Sequence, residues 1–115
     1  MNKHFDLEER TELYAKSVIA ICQKLPKSTV NIELISQEVR SAGSVGANYI
    51  EANESLSKKD FANRIKICRK EAKESRYWLR LIIFSNPGFE PEVNRLLQES
   101  TELMNIFGAI LKKTT

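Results

Sequence analysis

The stretch SKKDFANRIKICRKEAKESRYWLRLI, residues 57–82, decides the fold. Within it Phe61, Ile65, Cys68, Ala72, Ser75, Leu79 and Ile82 recur at alternating steps of four and three without a miss. That is the period of an α-helix laying one continuous seam against neighbouring helices at a shallow angle. Ser57 followed by Asp60 has the capping-box pattern, a hydroxyl for the first turn and an acid three residues on. The pattern predicts a helix over 58–84.

Working outward, breakers at Leu25-Pro26-Lys27-Ser28, Glu54-Ser55-Leu56-Ser57 and Ser85-Asn86-Pro87-Gly88 cut the chain into four segments. None alternates with period two, and no internal repeat appears. The first segment, 6–25, carries Leu7, Tyr14, Val18, Ile21 and Leu25 on one stripe, with Thr11 in the missing step and acids at its start. Pro26 is expected to end it. The second, 31–53, places Ile32, Ile35, Val39, Ala42, Gly46 and Tyr49 in register. Its glycines each cost about 1 kcal/mol relative to alanine, so Gly43, Gly46 and Ala47 are expected to let another helix approach closely. The fourth, 91–113, opens on Pro91. It runs through Val93, Leu96, Leu97, Leu103, Met104, Phe107, Ile110 and Leu111 and ends in Lys112 and Lys113. Four amphipathic helices with short connections make an all-α, antiparallel up-down-up-down four-helix bundle, one domain over 1–115. The alternative is a three-helix bundle whose second helix breaks at Gly43.

Composition narrows the chemistry. The chain has 115 residues, 42% of them apolar, and a net charge of +3. One histidine and two cysteines cannot assemble a zinc site, and Cys22 and Cys68 are too far apart for a redox motif; both read as buried thiols in a reducing compartment. The longest apolar run, Val18 to Cys22, cannot span a membrane. An acidic turn after the first residues is unlike a signal peptide, so a cytoplasmic location is expected. There is no phosphate loop, no nucleophile elbow and no second histidine for a triad; His4 is a poor candidate base. No catalytic residue, cofactor or metal is expected.

The faces of the third helix are informative. Residues 58–80 hold nine bases and three acids, +6, whereas the remaining nine bases and twelve acids carry −3. Lys59, Lys66, Arg69, Lys70, Lys73, Arg76 and Arg80 fall within about 120° of arc at ~100° per residue. Tyr77 lies inside that stripe, where it could stack on a base or ribose. A stripe of this kind can follow phosphates; it can equally be a solvated face. On the opposite flank Ile67 and Trp78 widen the apolar arc to about 160°, beyond the ~100° that burial in a small bundle requires. Glu71 and Glu74 lie beside them. Arg64 or Arg40 is expected to supply charge to Glu71, because a carboxylate at an apolar rim resists ionisation without a partner. The row Ile67, Glu71, Glu74, Trp78 is the expected oligomer contact, with a thick core and Trp78 at its rim as the alternative.

Beyond periodicity, residues 34–82 resemble the 23S rRNA-intervening-sequence protein family of small bacterial proteins. The resemblance rests on Ala47, Asn48, Glu51 and Ala52 as A-N-x-x-E-A, and on Ser57, Lys58, Asp60 and Phe61 opening the third helix. The run KEAKESRYWL, Lys70 to Leu79, is similar to one branch of the family. The chain departs from the commonest pattern with Ala52-Asn53 where A-E-G is frequent. The resemblance implies an antiparallel four-helix bundle, a barrel-like homopentamer and no enzymatic activity. A related group, the accessory proteins of diversity-generating retroelements, binds nucleic acid and a reverse transcriptase through more basic surfaces. The expected partners are therefore further copies of this chain, and RNA or a nucleoprotein at the basic face. The alternative is a structural or protein-interaction module with no nucleic-acid binding.

Overall fold

The computed structural model describes residues 6–114; His4 lies outside them. Four helices form: α1 (Leu7–Cys22), α2 (Thr29–Asn53), α3 (Lys58–Ser85) and α4 (Glu90–Thr114), with a single 3-10 turn, Pro87–Phe89, before the last. Among the described residues there is no strand. The second helix continues unbroken through Gly43, which removes the three-helix alternative.

Local chemistry explains the starts. Asp6, Ser28 and Ser57 each cap a helix, their side-chain oxygens accepting from the N–H groups of Glu8, Asn31 and Asp60 at 3.0, 3.0 and 3.1 Å. Helix α1 ends at Cys22 rather than at the expected Leu25. Ahead of Pro26 the chain tightens instead, with Lys24 N–H donating to the Ile21 carbonyl and Leu25 N–H to that of Cys22. Leu25 is buried all the same. Helix α4 begins at Glu90, placing Pro91 in the first turn, where its missing N–H costs no hydrogen bond.

Contacts between successive helices pair early residues of one with late residues of the next. Asn53 donates to Glu8, Asn86 and Asn31 exchange hydrogen bonds, and Lys66 and Arg69 of α3 lie beside Gly108 and Lys112 of α4. Each helix packs on two others: α2 on α1 and α3, α4 on α3 and α1. The seam of α3 is buried from Ile65 to Ile82 as its spacing requires, with Phe61 half-buried at the start. Around it Tyr14, Val18, Val45, Val93, Leu103 and Phe107 complete the core. Burial of side chains of this size is worth about 1.5–3 kcal/mol each. Cys22 and Cys68 are buried free thiols, and burial pushes them up to about 11 and about 12.

Helix α2 is rotated from its expected face. Ile32 is 62% exposed, and the buried positions are Asn31, Glu38, Ser41, Ala42, Val45 and Ala52. The inward stripe is polar at three of its six buried positions, so apolar spacing points about a quarter of a turn away at ~100° per residue. Two of the three buried polar residues answer to something specific. Asn31 and Asn86 exchange amide hydrogen bonds at 2.8 and 2.9 Å. Glu38, fully buried, accepts from the Ser75 hydroxyl at 2.8 Å, and Ser75 in turn is bonded to the Tyr14 phenol.

The small residues of α2 divide. A Cβ at Gly46 would stand 2.9 Å from Thr11 Oγ1 of α1, so this glycine sets the closeness of the two helices. A Cβ at Gly43 would meet nothing within 4 Å. Ala47 is exposed in the shallow α1/α2 groove beside them.

Candidate nucleic-acid interface

The basic stripe separates into a groove and a crest. Lys66, Arg69, Arg76 and Arg80 line the groove between α3 and α4. Lys59, Lys70, Lys73 and Tyr77 stand exposed on the outer crest of α3. At one end of the groove, Lys66 and Arg69 share a depression of about 540 Å³ with Asn105, Gly108, Ala109, Leu111 and Lys112 of α4. At the other end Arg76 and Arg80 face Asn94, Leu97, Gln98 and Thr101 across about 530 Å³. Among the described residues no carboxylate lines either end.

Small local features hold these cations in place. Arg69 lies over Gly108, where a Cβ would come within 3.4 Å of Nε; the glycine lets the side chain rest against α4. Arg76 Nε donates to Thr101 Oγ1 at 3.0 Å. Among the described residues, none of Lys59, Lys66, Arg69, Lys70, Lys73, Arg76 and Arg80 comes within 4 Å of a carboxylate oxygen. The ion pairs use other cations: Arg10 with Glu99 and Glu102, Lys16 with Glu12, and Lys24 with Glu92. The amides of Asn94, Gln98 and Asn105 add donors suited to phosphate and sugar oxygens.

Tyr77 is 54% exposed and meets Trp78 edge-on, ring centroids 5.1 Å apart. Trp78 and Ile67 are half-buried on the flank facing α2, with Glu71 half-buried and Glu74 exposed beside them. Burial, then the neighbouring Glu74, raises the Glu71 carboxyl above its usual range, while Lys70 and Arg40 oppose the rise. Of the two arginines expected to serve Glu71, Arg40 acts on it at a distance. Arg64 donates to Asn48 Oδ1 instead. Beyond Ile67 this flank ends in an acidic depression with Glu51, Glu54 and Asp60, so α3 divides two surfaces of opposite charge. Among the described residues no three ligating side chains gather as a metal site would need, and no helix is long and apolar enough to cross a membrane.

The α4 half of the groove, Lys112 with Asn94, Gln98 and Asn105, was not found from sequence. It depends on how α4 registers against α3, which no single-helix pattern reports.

Four packed helices, with no strand among the described residues, define an all-α helical bundle. The chain belongs to the 23S rRNA-intervening sequence protein family, whose sequence profile matches residues 3–109. A crystal structure of a protein of unknown function from the S23 ribosomal protein family of Bacteroides thetaiotaomicron is similar to it. The TM-score is 0.82 at 26% identity, over 93% of this chain and 99% of that one. No curated protein matches it.

Proposed function

We propose that this chain is a non-enzymatic, homo-oligomeric bundle of the cytoplasm that engages RNA, alone or within a nucleoprotein, through the cationic face of α3. The observation that carries the reading is the set of seven cations on one face, none of them within 4 Å of a carboxylate oxygen among the described residues. What is particular to the stripe is that its cations share one arc of one helix, and that no carboxylate among the described residues lines the α3/α4 groove beside them. Phosphates would displace only water and counterions there. A homopentamer, implied by the family resemblance, would repeat the face five times and raise the effective concentration of binding sites along one strand.

Binding of a single-stranded RNA of mixed sequence, followed by anisotropy across a salt series, tests the proposal. Affinity should fall with a slope of about −0.7 per phosphate neutralised. Replacing Lys66, Lys70 and Lys73 with Gln should flatten that slope while leaving helicity and assembly unchanged. These three make no hydrogen bond that the fold uses. A triple variant that binds as the parent does would show the stripe to be a solvated face. No binding by the parent at low salt would leave the protein-interaction module as the better reading.

A further inference from the structure

Glu38 has no place in that reading, yet it occupies the middle of the core. It is fully buried, and its Oε2 accepts one hydrogen bond, from Ser75 Oγ at 2.8 Å. Its Oε1 is buried without a partner; Ser41 Oγ, one turn on along α2, is the other such atom among the described residues. Ser75 donates to Glu38, so Tyr14 must donate to Ser75, and Ser100 of α4 lies beside the same phenol. One side chain from each helix thus joins a single polar thread.

What surrounds the thread carries no positive charge. From α1 it meets Tyr14 and, further along, Cys22, which the Glu38 charge would itself perturb. From α3 it meets Ser75. From α4 come Ser100 and, near Tyr14, Glu99, which is already bound to Arg10. On its own helix the nearest cation, Arg40, is exposed and donates to Gln37. A carboxylate here would be a buried charge with one neutral donor, which costs several kcal/mol. A carboxylic acid carries no charge to desolvate, and its Oε2 can still accept from Ser75.

We propose that Glu38 is held as a neutral carboxylic acid at neutral pH, pinning all four helices at one level, and that loss of its proton loosens the bundle in alkali. Burial, only partly opposed by the Ser75 hydrogen bond, pushes the carboxyl up to about 9. In the unfolded chain it titrates near 4.5. Between those values the folded state holds a proton that the unfolded state has released, so stability falls as pH rises. Over that window the unfolding constant should grow by up to tenfold per pH unit from this one group.

Urea unfolding of the full chain and of Glu38→Gln from pH 5 to pH 9 tests the device. The parent should lose stability relative to the variant steadily across the range, and parallel profiles would overturn the proposal. A second reading does not depend on the variant folding: the carbon-13 shift of the Glu38 carboxyl in the parent at pH 7. A neutral-acid shift supports the proposal, and a carboxylate shift at that pH sinks it.

Discussion

Replacing Gly43 and Gly46 separately with alanine sets one helix preference against two different surroundings. Both glycines lie inside α2, so each substitution should gain about 1 kcal/mol of helix stability. At Gly43 nothing stands within 4 Å of the new methyl, and the gain should appear in full. At Gly46 the methyl arrives 2.9 Å from Thr11 Oγ1 and 3.2 Å from Thr11 Cβ. Thr11 cannot swing away cheaply, since its hydroxyl donates to the Leu7 and Glu8 carbonyls at 2.7 and 3.1 Å and its Cβ moves only with the backbone. Relief requires α1 to shift outward, and overpacking of this kind costs about 1–3 kcal/mol. Gly46→Ala should therefore be neutral to about 2 kcal/mol destabilised, and Gly43→Ala about 1 kcal/mol stabilised. Urea midpoints at unchanged slope would measure both. A Gly46→Ala protein as stable as Gly43→Ala would refute the close approach of α1 and α2 at this point.

Two further outcomes are expected. Asn86→Ala should cost about 1–3 kcal/mol in the same assay because it leaves Asn31 Oδ1 and one N–H of that amide without partners, Nδ2 keeping only the Pro26 carbonyl, whereas replacing both residues with leucine should recover part of the loss; a single variant as stable as the parent would contradict this. Trp78→Glu should lower the assembled mass seen by light scattering if the α2-facing flank of α3 is the contact between copies. An intact assembly would place that contact on another face.

The legibility of the sequence differed from helix to helix for physical reasons. Helix α3 could be read because its seam holds only apolar or small residues, so spacing and burial coincide. Helix α2 could not, because Asn31, Glu38 and Ser41 point inward while Ile32 and Ile50 point out. Asn31 and Glu38 have partners from beyond α2, in Asn86 and Ser75, and a pattern along one helix contains no trace of them. The two glycines of α2 look alike in sequence; only the position of Thr11 distinguishes them. For the basic face, the residues of α3 were legible as charge at helical spacing. Their division into groove and crest was not, because the depth of a side chain depends on where α4 lies.

The polar thread through Tyr14, Ser75 and Glu38 also bears on the order of folding. Its two hydrogen bonds join residues 61 and 37 positions apart, so neither can form while helices are only locally made. Closing such loops costs entropy before the contact returns anything, so the thread is expected to form late, which φ-values at Tyr14 and Ser75 near zero would bear out. A weakened thread would then leave the rate of folding almost unchanged and hasten unfolding. The core's most specific interaction would thus act chiefly on how long the native state lasts, and little on how quickly it is reached.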